Sequence, residues 1–408
     1  MALERPEADW TEREETMKFD LPTAVATALA ACSLSSAVRA EEPIRIGFIS
    51  TFSGPQASLG QEQADGFKLA LQKLGNKLGG RSVEVFYGDD QAKPDVARQL
   101  ADRMIERDKV SIVTGINFSN VLLAVAKPVL DSGAFYVGTN AGPSIFAGKQ
   151  CNPNFFSVSF QNDTTTEVMG TYMQNKGIGN VYLLAPNYPA GKDMLSGFKR
   201  NFKGKLAGEV YTTFGQLDYA AEIAQIRAAK PSAVFLFLPG GMGISFVKQY
   251  AQAGLKDEIP LFTGAAVIDQ TVLPALGDEA LGMTTAYFWS EFSELPESQA
   301  FARDFEATYN RIPAPMAASA YDTANLLDAA LTKIGGQVED SDAFRAALKA
   351  ADFRSVRGNF SFNSNHFPIQ DFYVSTVVRD NKGRLVNGPG ELIAKSVADS
   401  YASKCEMR

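Results

Sequence analysis

The chain has 408 residues, 45% hydrophobic and 21% charged, which is long enough for two or three domains that each bury a core. Its 39 Lys and Arg against 46 Asp and Glu give a net charge of -7, which argues against a nucleic-acid binder, because phosphate contacts need a basic surface. One His and three Cys exclude a His-rich metal site and leave a Ser-His-Asp triad a single candidate, His366.

The first apolar run, residues 21–34, is too short to span a bilayer and has the length of a signal-peptide core. It leads to Ala37-Val38-Arg39-Ala40, with small residues where a signal peptidase needs them, so cleavage is expected after Ala40. Residues 1–16 are acidic where a signal n-region is basic. Met17-Lys18 is a better start, and the leading stretch reads as an upstream extension or as a short tail. Leu29-Ala30-Ala31-Cys32 also fits a lipobox, in which Cys32 would carry a lipid anchor. Either way the chain is expected to be exported. The 368 residues from Glu41 carry 35 basic and 39 acidic groups and two Cys, Cys151 and Cys405. In an oxidising compartment these are expected to form one disulfide that pins the C-terminal tail; two separate thiols are the alternative.

From residue 44, short β-branched runs alternate with amphipathic stretches. Strands are expected at 44–49, 83–87, 110–114 and 134–137, with helices at 59–74, 95–107 and 120–130. In the second of these helices Val96, Leu100, Met104 and Ile105 share one face. The alternation restarts after Cys151. Strands are expected at 155–158, 180–185, 209–213, 233–238, 260–263 and 283–287, and helices at 163–176, 190–202, 220–229 and 244–253. Residues 297–309, 317–334 and 342–350 read as helices, and 358–362 with 372–378 as a hairpin-like finish. The pattern predicts an α/β protein of two open, doubly wound sheets with no flexible linker between them. Two such lobes build a cleft, with ligands at the carboxyl ends of the strands.

Motifs for chemistry are missing. The turn Ser53-Gly54-Pro55-Gln56-Ala57-Ser58-Leu59-Gly60 is neither a dinucleotide fingerprint nor a P-loop. Pro239-Gly240-Gly241-Met242-Gly243 lacks the Lys of a phosphate cradle and reads as a strand-to-helix turn. Asp89-Asp90 reads as a solvated strand end, and His366 as a loop residue without a catalytic role. No enzyme activity, cofactor or metal is expected.

The stretch 44–115 carries Ser53-Gly54-Pro55 with Gly60, Gly79-Gly80, Asp89-Asp90, and Asp108-Lys109-Val110 leading to Gly115. Phe288-Trp289, Phe301 to Tyr309, and Tyr321-Asp322-Thr323 follow later. In this order and spacing the chain resembles extracytoplasmic solute-binding proteins of the branched-chain amino-acid type, which serve ABC importers. The resemblance covers 43–380. It implies the type I periplasmic-binding fold, two doubly wound α/β lobes joined by a three-crossover hinge. Its expected divisions are an extension and signal peptide at 1–40, lobe 1 at 41–158 with about 288–340, lobe 2 at 159–287 with about 341–380, and a tail at 381–408. It also implies a periplasmic monomer that hands a small-molecule ligand to a membrane permease and its ATPase.

The family's binding pattern carries over by position. In Gly115-Ile116-Asn117-Phe118-Ser119, Ser119 stands where the family places a hydroxyl on the ligand carboxylate. It also precedes the helix expected from Asn120, so its hydroxyl and the free backbone N–H groups form an anion site. Thr139-Asn140-Ala141-Gly142 stands where backbone groups complete that site. Tyr188 stands at a Tyr that closes over the ligand, Pro239-Gly240 at a pocket-facing turn, and Trp289 where it walls the pocket or packs in the core. Two departures bear on the ligand. The acid that holds an amino-acid ammonium is replaced within Gly264-Ala265-Ala266-Val267, with Asp269 nearby, and Leu59 replaces an aromatic residue of the first loop. Phe118, Phe160, Tyr188 and Trp289 supply aromatic walls instead. Such a pocket suits an aromatic or otherwise apolar carboxylate, because an unpaired buried ammonium is costly. A branched-chain amino acid, an amide or urea, or a role as a sensor docking on a signalling receptor are the alternatives.

Overall fold

The computed structural model describes residues 42–264 and 267–407. The expected signal peptide, Cys32, Ala265 and Ala266 lie outside the described residues. Six strands come first: β1 (Ile44–Ser50), β2 (Lys77–Leu78), β3 (Arg81–Asp89), β4 (Ile112–Thr114), β5 (Phe135–Gly138) and β6 (Phe155–Ser157). Between them run α1 (Ala57–Lys73), α2 (Pro94–Glu106), α3 (Ser119–Asp131) and the single turn α4 (Ser144–Ala147). The strands form one sheet in the order β2-β3-β1-β4-β5-β6, parallel except for the β2–β3 hairpin.

The chain then crosses to a second sheet. Here α5 (Asn162–Asn175), β7 (Asn180–Pro186), α6 (Pro189–Asn201), β8 (Lys205–Thr212), α7 (Ala220–Ala229), β9 (Ala233–Leu236), α8 (Gly241–Gln252), β10 (Leu261–Thr263), α9 (Leu273–Leu276) and β11 (Thr284–Tyr287) follow. Three helices return to the first lobe: α10 (Pro296–Tyr309), α11 (Pro315–Lys333) and α12 (Ser341–Ala350). The chain crosses back for β12 (Ser361–Phe362), β13 (Pro368–Arg379), β14 (Leu385–Asn387) and β15 (Glu391–Val397). The second sheet runs β12-β13-β11-β10-β9-β7-β8, with β14 and β15 both paired to β13. There are thus three crossings, at residues 158–161, 288–295 and 351–360. This is the doubly wound, two-lobed α/β architecture expected.

Two boundaries differ from expectation. Residues 341–350 were expected in lobe 2, but α12 packs on lobe 1. The Phe344 ring meets Phe135 of β5 edge-on at 4.8 Å, and Phe344 and Leu348 share a buried core with Ile112, Val137 and Leu327. The tail expected from 381 is instead part of the lobe 2 sheet. Asp380 accepts the Lys382 and Arg384 N–H groups at 2.9 and 2.8 Å, forming the turn that folds β14 back on β13. Asp90, expected to be solvated, is fully buried and accepts from the Thr51 hydroxyl at 2.5 Å and the Ala92 N–H at 2.8 Å.

Lobe 1 closes its second face by laying α11 on α1. The helices approach so closely that a Cβ on Gly66 would lie 2.2 Å from the Ala317 carbonyl oxygen. At the hinge, Arg357 ties four segments together. Its Nε donates to Asp322 of α11 at 2.8 Å, and its Nη1 donates to Gln370 of β13 at 2.8 Å and to the Ser159 carbonyl of the first crossing at 3.2 Å. Both side chains of the Arg357–Asp322 pair are fully buried. Removing either partner would leave an uncompensated charge, so the pair fixes how the crossings stack. Cys151, just before β6, is bonded to Cys405 beyond β15, with Cα atoms 5.6 Å apart.

Candidate functional site

Both sheets turn the carboxyl ends of their strands toward a common cleft, the place where open α/β sheets bind ligands. The cleft encloses a cavity lined by Leu59, Asn117, Phe118, Ser119, Asn140, Ala141, Phe160, Asn162, Tyr188, Ala190, Met194, Phe237 and Pro239. The space among these residues, part of it open to solvent, is about 350 Å³. Asn117, Phe118 and Ser119 follow β4, and Asn140 and Ala141 follow β5. Phe160 and Asn162 follow β6, Tyr188 follows β7, and Phe237 and Pro239 follow β9. No lining residue carries a charge.

One wall is aromatic. Phe118 of lobe 1 meets Tyr188 and Phe214 of lobe 2 edge-on at 6.4 and 5.3 Å, and Tyr188 lies parallel to Phe237 at 6.4 Å. Burial pushes the Tyr188 phenol far above its usual range, so it stays protonated. The other wall is polar. The expected cap at Ser119 is corrected by one residue: the helix begins at Ser119, and Phe118 holds the cap position in extended geometry. The Ser119 hydroxyl is therefore not used in capping and accepts from Asn162 Nδ2 at 3.1 Å. The Leu122 N–H closes on the Phe118 carbonyl, whereas those of Ser119, Asn120 and Val121 have no acceptor among the described residues. Those N–H groups and the α3 dipole make a site for negative charge.

Behind this wall the amides interlock. Asn117 donates to Ser50 Oγ at 3.0 Å, and its Oδ1 accepts from Gln63 of α1 and from Asn140 at 3.3 Å. Thr139 donates to Gln63, and Ser50 to the Gly115 carbonyl at 2.7 Å. Two backbone groups expected in the anion site are committed within the protein. The Ala141 N–H donates to the Ile116 carbonyl at 3.2 Å, and the Gly142 N–H to Asn162 Oδ1 at 3.2 Å.

Lobe-to-lobe contacts close the cleft. Asp193 of α6 accepts from the Ser144 N–H at 2.9 Å, the Ser144 hydroxyl at 2.7 Å and Asn162 Nδ2 at 3.0 Å. Burial, with the charge of Asp163 nearby, pushes its carboxyl up to about 6. Gly240 does not line the cavity but faces the first loop. It holds φ +61°, and a Cβ there would lie 2.0 Å from Gln56 Oε1, which accepts the Gly241 N–H at 3.2 Å. Only glycine meets both conditions.

Trp289 is not among the lining residues. Its indole N–H donates to Ser298 Oγ at 2.8 Å and its ring packs edge-on against Phe301. A buried indole N–H needs an acceptor, and α10 supplies one away from the cavity. Asp269 is fully buried, accepts the Thr271 N–H at 2.9 Å, and does not line the cavity either. His366 lies elsewhere as well, stacked on Phe156 at 4.1 Å. Asn162, Ala190, Met194 and Phe237 complete the lining and were not anticipated. The polar run Gln161-Asn162-Asp163 at a crossing was the available signal.

The fold and this site define a two-lobed protein that closes a cleft over a small molecule. Residues 43–384 match the family described as periplasmic binding protein, and the chain belongs to it. A solute-binding protein of an ABC transporter from R. palustris, solved with benzoate, is 32% identical, with 90% of this chain and 100% of that one covered and a TM-score of 0.84. A second from R. palustris, solved with 4-hydroxybenzoate, is 27% identical over 87% of this chain and 98% of that one, with a TM-score of 0.82. Leu/Ile/Val-binding protein homolog 6 of Brucella melitensis biotype 1 is 28% identical, covering 88% of this chain and 94% of its own.

Proposed function

We propose that this chain is the exported, periplasmic receptor of an ABC importer, that it closes on a small aromatic carboxylate, and that it presents the ligand to a membrane permease and its ATPase. The carrying observation is the cavity itself: an uncharged lining that brings Ser119 and the free α3 N–H groups together with Phe118, Tyr188 and Phe237. A carboxylate finds donors there, a ring finds rings, and an ammonium finds no acid. The benzoate and 4-hydroxybenzoate complexes of similar proteins support the same ligand class. Burying about 150 Å² of ring contributes roughly 4 kcal/mol before entropy costs, and micromolar binding needs about 8. The anion site and lobe closure supply the remainder.

The name of the Brucella relative favours a second reading, a branched-chain amino acid. Calorimetry with benzoate, 4-hydroxybenzoate, leucine, valine and urea separates the two. Benzoates are expected to bind, and Ser119→Ala to weaken them by roughly 10-fold to 100-fold, the worth of a hydrogen bond to a charged group. Binding of leucine and valine but not of benzoates overturns the proposal. Unchanged benzoate affinity in Ser119→Ala overturns the role of Ser119.

A further inference from the structure

A serine hydroxyl faces a ligand either as donor or as acceptor, and its neighbours decide which. Ser119 Oγ accepts from Asn162 Nδ2 at 3.1 Å, and this is its one hydrogen bond among the described residues. The Asn162 amide is itself oriented from two sides. Its Oδ1 accepts the Gly142 N–H at 3.2 Å, which can only donate. Its Nδ2 donates at 3.0 Å to Asp193, which as a carboxylate can only accept. A flipped amide would set oxygen against carboxylate and N–H against N–H. The amide nitrogen therefore faces Ser119, and the serine proton is left to point into the cavity.

We infer that Asn162 is a positioning residue: held by Asp193 and the Gly142 N–H, it commits the Ser119 hydroxyl to donate, and so selects ligands that present an acceptor. The inference rests on the reading of Ser119 as part of a carboxylate site. It makes Asp193 a determinant of ligand polarity although Asp193 does not line the cavity. Because Asp193 also accepts from Ser144 across the cleft, the relay is assembled in the closed arrangement.

The test exchanges the pair. In Asn162→Asp with Asp193→Asn, the net charge is kept, the Gly142 N–H still meets an acceptor, and the 193 amide donates to the 162 carboxylate; the Ser144 N–H, which shares that Asp193 oxygen, loses its acceptor, a loss common to the exchanged pair with and without Ser119→Ala. The proton of Ser119 is now drawn to residue 162 and away from the ligand. Benzoate affinity is measured at about pH 8, above the range in which Asp193 titrates, for the native chain, for Ser119→Ala, for the exchanged pair, and for all three changes together. In the native background Ser119→Ala is expected to weaken benzoate by about tenfold or more. In the exchanged background it is expected to matter less than about twofold, because Ser119 no longer donates. The added charge at 162 weakens benzoate by repulsion alone, but repulsion leaves the contribution of Ser119 in place. Equal Ser119→Ala effects in both backgrounds overturn the relay while leaving the carboxylate reading intact. Failure of the native chain to bind benzoate overturns that reading and the relay with it. If melting shows that the exchanged pair does not fold, Asn162→Asp alone replaces it, because it too puts an acceptor beside the Ser119 proton, and the Ser119→Ala effect must then fall below about twofold for the relay to stand.

Discussion

Breaking the Cys151–Cys405 bond by double serine substitution should lower stability by an amount that chain length sets. The bond closes a loop across a sequence separation of 254. Loop-closure entropy for such a span is about 19 cal/mol/K, or roughly 5.5 kcal/mol at room temperature. A chain of 368 residues after Ala40 unfolds with an entropy of roughly 0.8 kcal/mol/K. The melting temperature should therefore fall by roughly 6 to 7 °C, the quotient of the two figures. Tyr401 adds local anchoring through its hydroxyl, which donates to Asp163 at 2.7 Å, so the tail is held in part without the bond. The measurement is scanning calorimetry of the native chain, with and without reductant, beside the double variant. Reductant and variant should agree. Free thiols in the native chain would refute the pairing. An intact bond whose removal shifts melting by less than about 1 °C would refute the loop-entropy argument.

His366 is the single histidine, so its titration can be followed by NMR without assignment. Burial pushes its imidazole down to about 4. The unfolded chain then binds the extra proton between about 4 and 6.5, so stability is full above 6.5 and falls by about 3 kcal/mol as pH drops through that window. His366→Asn, which tolerates the φ of +62° at this position, should flatten the profile, and an imidazole that titrates near 6.5 in the folded chain contradicts the argument. Gly66→Ala should cost about 1–3 kcal/mol by forcing α1 and α11 apart, while benzoate affinity stays within about twofold; unchanged melting would mean the helices yield freely.

Much of the fold was legible because it rests on periodicity. Short β-branched runs and amphipathic stretches placed almost every long strand and helix, since burial on one face or two leaves a mark on neighbouring residues. Lobe membership was less legible. Nothing in the sequence of α12 says that Phe344 finds Phe135 rather than the other lobe, because that choice is made by packing across 209 positions. The strands of the tail were passed over, although the turn around Asp380 signals them. At the site, the positions at strand ends were found through the family resemblance, which assigns binding residues by their order along the chain. Asn162 was missed because its role lies in three hydrogen-bond partners distant in sequence. For Trp289 the sequence left wall and core both open, and its N–H, drawn to Ser298, favours the core.

The first sheet is complete by Ser157, but the helices that cover one of its faces end only at Ala350. As the chain emerges in order, Ile46, Phe48, Ile112 and Phe135 are covered only in part, by Phe67 and its α1 neighbours, until Leu327, Phe344 and Leu348 arrive to meet them. The nascent protein thus carries an unfinished apolar surface through most of its biogenesis, and such surfaces aggregate. Demand for a holding chaperone should therefore end only when α12 has emerged, and fragments cut anywhere between the two sheets should not persist as folded halves.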